Sequence, residues 1–217
     1  IKFYRAGFGW LMPKRFLFLT HIGRKSGEPR YAVVEVADYD AENIGNGFRL
    51  PFIGAAFVAR FVSPDTGPIL DAGCGTGLVG EALAILGYNN IVGLDISPAM
   101  IRRAEQLQSY SRLYEHDLGL RIPEKDDSFG AVTCFGSLGP GHAPANCLDE
   151  FVRVTRPGGF VVFNVRPDTY EDQGLKRKID ELVAGPAVRE MEQSPDFKPY
   201  LLAEPELGAK VFVFEVR

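Results

Sequence analysis

Cysteine is scarce in this chain: Cys74, Cys134 and Cys147 are the only three among 217 residues. So few, so unevenly spaced, exclude a disulfide framework and a zinc cluster. They read as reduced, buried small residues, which fits the cytoplasm. Histidine is equally scarce: His21, His116 and His142 show no metal-ligand spacing, and no metal is expected. Positive charge is not in excess either. A net charge of −4 with no long basic run lacks the footprint of a nucleic-acid partner, so the scattered Lys and Arg read as a solvated surface. No apolar run approaches the roughly 18 residues of a membrane span, and no membrane partner is expected. Ile1-Lys2-Phe3 is neither a methionine start nor the opening of a signal peptide, because the apolar core that follows is short and interrupted. What is left, 46% hydrophobic and 24% charged residues, is ordinary for a globular protein. The length suits one α/β domain with a short appendage.

What the chain does have is the run Ile69-Leu70-Asp71-Ala72-Gly73-Cys74-Gly75-Thr76-Gly77. It reads as a buried strand ending in an acid and breaking into alternate glycines, with a helix pattern from Leu78. Glycines there let the backbone turn sharply and bring a ligand against main-chain N–H groups. The helix that follows points its positive end at the same place. The dinucleotide fingerprint spaces its glycines G-x-G-x-x-G, whereas here the spacing is D-x-G-x-G-x-G. A carboxylate beside the loop repels a pyrophosphate but accepts hydrogen bonds from an ammonium group, which favours a zwitterionic amino-acid ligand.

This loop resembles motif I of the class I S-adenosylmethionine (SAM)-dependent methyltransferases. Asn90-Ile-Val-Gly-Leu-Asp95 is a second strand ending in an acid, 24 residues after Asp71. A carboxylate there takes the ribose hydroxyls, as in dinucleotide folds. Ser97-Pro98 supplies an N-cap and a first-turn proline for a helix over residues 98–108. Residues 112–116 form a third strand, closed by Asp117-Leu118. The resemblance implies that Asp117 binds the adenine amino group while Ile96, Met100 and Leu118 flank the ring. A fourth strand spans 130–135 and ends at Phe135-Gly136-Ser137. Arg156-Pro-Gly-Gly159 stops a helix before a strand over 160–165. The resemblance covers the chain from about residue 38 onward and implies a Rossmann-like, seven-stranded, mostly parallel sheet in the order 3-2-1-4-5-7-6, flanked by helices. It also implies that Asp71, Gly73, Cys74, Gly75, Gly77, Asp95 and Phe135 are cofactor-binding, with S-adenosylhomocysteine (SAH) as product. Within the family the chain is similar to small methyltransferase-like proteins of the Williams–Beuren-region type.

The ends are less regular. Runs at 16–20 and 31–36 flank Gly23-Arg-Lys-Ser-Gly27, a hairpin signal. The string Leu19-Thr-His-Ile-Gly-Arg-Lys-Ser-Gly-Glu-Pro-Arg30 resembles the opening hairpin of deazaflavin (F420)-dependent nitroreductases. That family needs a complete split barrel, and no further barrel strands follow. Residues 1–40 therefore read as a β-hairpin appendage and 41–217 as the methyltransferase domain. Apolar residues at spacings of three and four over 48–62 read as a leader helix facing a core. In the resembled family this leader caps the site, and Tyr39 either closes over the cofactor or is ordinary packing. The pattern past strand five predicts a helix over 171–183, loop and irregular helix over 184–198, and final strands at 200–203 and 210–216.

Gly130 stands where the family usually has Asp, and a loss of local rigidity is expected there. His142, in the loop after strand four, is the one titratable group nominated as a general base, since histidine titrates near neutrality; the alternative is an exposed loop histidine. His116, beside Asp117, reads either as a surface residue or as a hydrogen-bond partner near the adenine. The Asn-Pro-Pro-Tyr type tetrapeptide of amino-methylating nucleic-acid enzymes is absent, which argues against a DNA acceptor. The expected activity is methyl transfer from SAM to a small-molecule acceptor. The alternatives are a non-catalytic SAM/SAH-binding protein and, less favoured by the glycine spacing, an F420-dependent oxidoreductase fragment. The sequence leaves the oligomeric state open.

Overall fold

The computed structural model describes residues 16–22, 29–139, 142–168, 170–171 and 174–217. Strands β1 (Phe16–Ile22) and β2 (Pro29–Glu35) pair antiparallel, with Phe16 opposite Glu35 and Ile22 opposite Pro29. No third strand joins this pair among the described residues. The Arg24-Lys25-Ser26-Gly27 segment that carries the nitroreductase likeness lies outside them. Helix α1 (Val36–Gly45) follows β2 and runs through residue 40. Helix α2 (Leu50–Phe61) is the expected leader: Pro51 sits in its first turn, and Leu50, Pro51, Gly54, Ala55 and Val58 are its buried residues.

The remaining strands are β3 (Ile69–Ala72), β4 (Ile91–Asp95), β5 (Arg112–Glu115), β6 (Phe129–Cys134), β7 (Thr155–Val165), β8 (Val188–Gln193) and β9 (Lys210–Val216). They form one sheet in the order β5-β4-β3-β6-β7-β9-β8. Counted from β3 as the first, this is 3-2-1-4-5-7-6, the order expected. β9 alone runs antiparallel to both of its neighbours, β7 and β8. Helices α3 (Leu78–Ile85), α4 (Pro98–Gln106), α5 (Cys147–Val154) and α6 (Leu175–Ala184) connect the strands.

Parallel strands are covered on both faces and so read as continuous apolar runs. Every residue of β3 and β6 is buried. Alternate residues divide between two cores: Leu70, Val132 and Val161 join Phe151, Phe163 and Phe214 on one face. Ile69, Ala131 and Val162 join Val58, Leu83 and Val213 on the other. The carboxyl ends of β3, β4 and β6 therefore meet at one edge, where open α/β sheets bind ligands.

Three expectations about the sheet are corrected. The penultimate strand is β8, inside the stretch expected to be loop, and not residues 200–203. In β8 only Val188 is buried, and the rest is charged or polar apart from the exposed Met191; it pairs with β9 alone, so its partner specifies it more than its composition. Leu201 and Leu202, which suggested a strand, are 65% and 79% exposed. The Arg156-Pro-Gly-Gly159 turn lies within β7, as a register jump between the Phe129–Thr155 and Ala131–Phe160 pairs. Gly130 leaves no gap to loosen the strand: a Cβ there would meet Thr66 Cγ2 at 2.4 Å and the Thr66 carbonyl oxygen at 2.7 Å. The missing side chain's place is taken by the Thr66 backbone, and the Gly130 N–H donates to the Pro68 carbonyl.

Candidate functional site

The glycine loop is built from its hydrogen bonds. Gly73 and Cys74 both donate N–H bonds to the Leu94 carbonyl, at 2.8 and 2.9 Å, tying the end of β3 to the end of β4. Gly77 donates back to the Cys74 carbonyl. Gly73, Gly75 and Gly77 have φ of +75°, +55° and +98°, a region that costs other residues strain. Gly73 is also a close approach: a Cβ there would lie 2.3 Å from Ser137 Oγ, whose hydroxyl donates to the Gly73 carbonyl at 3.0 Å. Gly75 has open space at its Cβ position, so conformation alone demands glycine there.

Asp95 closes the other side. Its Oδ2 accepts from the Gly75 N–H at 3.0 Å and its Oδ1 from the Ser97 N–H at 2.8 Å. Burial raises its carboxyl above the usual range, against the pull of these two bonds and of the positive charge His142 can carry. Ser97 Oγ in turn accepts from Met100 N–H and caps α4.

Together these elements border a cavity of about 410 Å³ at the carboxyl edge of the sheet. Of the residues singled out from the sequence, Gly73, Cys74 and Gly75 line its floor. Asp95, Ile96, Met100, Asp117 and Leu118 line one side. Tyr39, Phe135 and His142 line the rest. Ile96 is 63% exposed, an apolar side chain presented to the cavity. Tyr39 packs on Ala99 and Met100, and burial pushes its phenol above the usual value. Cys74 is a free, buried thiol raised by burial, hence protonated and inert.

Two predicted residues stand outside the cavity. Asp71 is buried behind the loop, its Oδ2 accepting from Tyr110 OH at 2.7 Å and its Oδ1 from Thr133 Oγ1 at 3.1 Å. Burial pushes its carboxyl up to about 6, against both bonds. Gly77 is the N-cap of α3 and packs toward Ala104 and Leu107.

The structure also brings to the cavity residues that were not named as site residues from the sequence. Thr76, Leu78 and Val79 line the cavity at the start of α3, where the first backbone N–H groups have no intrahelical acceptor. Phe48, Leu50 and Pro51 come from the leader, and Gly136, Ser137 and Ala143 from the loop after β6. Phe48 is held by Tyr200, whose ring stacks on it at 4.8 Å and whose hydroxyl donates to Asn43 Oδ1. His116 lines the cavity too, half-buried and not a surface residue. Ser137 was readable, standing directly after Phe135-Gly136; Phe48 and Tyr200 were not, since their pairing spans 152 residues. No cluster of metal-binding type occurs among the described residues, and no helix among them is long and apolar enough to cross a membrane.

Residues 70–163 match the family model described as a methyltransferase domain. Human methyltransferase-like protein 27 is 33% identical over 151 residues, which are 67% of this chain and 61% of that protein. Ubiquinone biosynthesis O-methyltransferase of Hydrogenovibrio crunogenus is 28% identical over 119 residues, 53% of this chain and 49% of that one. The chain thus spans between about half and three fifths of these relatives. Among solved structures, magnesium protoporphyrin IX methyltransferase of Synechocystis with bound SAM superposes with a TM-score of 0.57 at 18% identity, over 77% of this chain and 79% of that one.

Proposed function

We propose that this chain, whose residues 70–163 belong to the class I SAM-dependent methyltransferases, transfers a methyl group from SAM to a small-molecule acceptor. The observation that carries the reading is the pairing of a glycine loop with a half-buried Asp95 carboxylate across one cavity. Each part of SAM finds a matching chemistry there. Asp95 suits the ribose hydroxyls, Asp117 the adenine amino group, and Ile96, Met100 and Leu118 the faces of the base. The N–H groups at the start of α3 suit the methionyl carboxylate. When bound, SAM supplies an electrophilic methyl on a sulfonium, a leaving group that needs no activation.

What the chain must then do is hold an acceptor in line and keep water away. Orientation of this kind contributes about 7–11 kcal/mol to lowering a barrier. Phe48, Leu50 and Pro51, apolar residues of the same cavity, suit an apolar or aromatic acceptor, while Phe135 stays with the cofactor-binding residues. His142, exposed on the same rim, would take the proton of an acceptor that is protonated at neutral pH, worth roughly 10²–10⁴-fold. The relative named for ubiquinone biosynthesis supports a small-molecule acceptor by likeness.

The same proposal takes residues 41–217 as the methyltransferase domain and residues 1–40 as an appendage, whose two strands form a sheet of their own. Three free, buried cysteines support a reducing, cytoplasmic setting. A second reading, a protein that binds SAM without catalysis, draws on the exposed position of His142 at the cavity. Incubation with SAM and a panel of phenols, amines and thiols separates the two. SAH formation above the no-acceptor rate supports the transferase, while tight SAH binding with no turnover across the panel supports the second reading.

A further inference from the structure

Two glycines of the sheet-and-helix framework are required by no turn. Gly80 is in the first turn of α3 and Gly93 is in the middle of β4, where glycine costs about 0.5–1 kcal/mol relative to alanine. Gly80 makes room for the Tyr110 side chain, and Gly93 for Tyr110 together with Leu113, whose Cδ2 would lie 2.6 Å from a Cβ there. A Cβ on Gly80 would lie 2.2 Å from Tyr110 Cζ, and one on Gly93 2.8 Å from Tyr110 Cε1. The Tyr110 ring therefore enters between α3 and β4, underneath the cofactor loop. At its tip the hydroxyl makes two bonds. It donates to Asp71 Oδ2 at 2.7 Å and accepts from the Gly80 N–H at 3.2 Å. Asp71 lies two residues before Gly73, and Gly80 three residues after Gly77. One hydroxyl thus joins the two segments from which the loop springs.

We propose that Tyr110 is a positioning residue for the cofactor loop, fixing residues 73–77 by tying Asp71 at the end of β3 to Gly80 in the first turn of α3. It touches neither cofactor nor acceptor, and acts through the loop's shape and through Asp71. The inference rests on the reading of this loop as the SAM site. Tyr110 also takes up one of the N–H groups that a helix start leaves without an intrahelical acceptor, so a bound anion is left the neighbouring ones. A tyrosine is suited to the place because a single oxygen both donates and accepts; phenylalanine fills the same notch and does neither.

The tie has a charge-dependent side. The titratable groups facing Asp71 are Tyr110, Asp95 at the end of β4, Cys74 in the loop and Cys134 at the end of β6. Burial holds the phenol and both thiols above their ordinary values, leaving them protonated near neutrality. Asp71 itself titrates at about 6, with the Tyr110 bond pulling it down. Removing that bond lets the carboxyl take up its proton at higher pH.

The test is calorimetric titration with SAH at pH values from 5.5 to 8.5, on the unmodified protein, Tyr110→Phe and Thr133→Val. Tyr110→Phe is expected to weaken SAH about tenfold at pH 7.5 and to move the pH below which affinity falls upward by about one unit. Thr133→Val removes the other donor to Asp71 while leaving the tie to Gly80. It is expected to move the pH dependence the same way with less than half the loss in affinity. Affinity and pH dependence unchanged in Tyr110→Phe, with only a lower melting temperature, would show a packing role and overturn the proposal. Equal losses in both variants would overturn the part played by the Gly80 bond. No SAH binding by the unmodified protein would overturn the SAM reading of the loop and this inference with it.

Discussion

Around the glycine loop of the cavity the main chain does the holding, and around Phe48 side chains do; in the proposed function the first region meets the cofactor and the second the acceptor. Gly73, Cys74, Gly75 and Gly77 each have their N–H bonded, to Leu94, to Asp95 or within the loop. The apolar lining residues Phe48, Leu50, Pro51 and Ala143 are brought together from separate elements, with Phe48 pinned by the Tyr200 stack. A backbone cradle admits one shape of ligand and tolerates few substitutions. A wall of packed side chains is reshaped by changing any one of them. The contrast fits a protein whose donor is fixed and whose acceptor is set by loop and leader residues.

Substitutions in the two regions should therefore fail differently. Asp95→Ala removes the acceptor for two backbone N–H groups as well as the ribose partner, and SAH affinity is expected to fall by about 100-fold or more, two or more strong hydrogen bonds being lost. Affinity within threefold of the original would break the assignment. His142→Ala tests the proposed base: turnover of a protonated acceptor is expected to fall about 100-fold and lose its rise across neutral pH, with SAH affinity reduced far less than in Asp95→Ala. Turnover unchanged from pH 6 to 8 would remove His142 from the chemistry.

Gly73→Ala and Gly75→Ala sharpen the comparison within the loop itself. Both impose a positive φ on alanine, costing of order 1 kcal/mol, but only Gly73→Ala drives a methyl into Ser137. It should lower both SAH affinity and melting temperature more than Gly75→Ala does; equal effects would mean that the Ser137 contact carries nothing.

Asp71 is read out in the pH dependence of stability. Its carboxyl is raised from 3.8 to about 6 when folded, so the native state holds the proton more tightly than the unfolded chain. Stability that is present below pH 4 is lost as pH rises through about 6, amounting to about 3 kcal/mol for this fully buried group. Asp71→Asn should abolish that component, seen as a flatter dependence of denaturant midpoint on pH between 4 and 7. The same slope in both proteins would contradict it.

How much of this was legible from the sequence follows the same division. The strand-acid-glycine loop, the acid at residue 95 and the Ser97 cap are local, and the residues that specify them are neighbours in the chain. β8 was missed because an edge strand with one buried residue carries no apolar pattern, and its pairing with β9 is what makes it a strand. The Phe48–Tyr200 wall and the Tyr110 tie were missed for a related reason. Each is a contact between distant segments, and the only local trace of the Tyr110 tie is the pair of glycines at 80 and 93, without an evident turn to make. Asp71 was recognised, yet its neighbours Tyr110 and Thr133 place it behind the loop and not in the cavity.

The most direct measurement is calorimetric titration of the purified protein with SAH, alongside Asp95→Ala at the same pH. The account predicts one site per chain with micromolar affinity, lost in the variant while its circular dichroism spectrum stays unchanged. An unmodified protein that binds no SAH, or a variant that binds it as well, would contradict the assignment of this cavity to SAM.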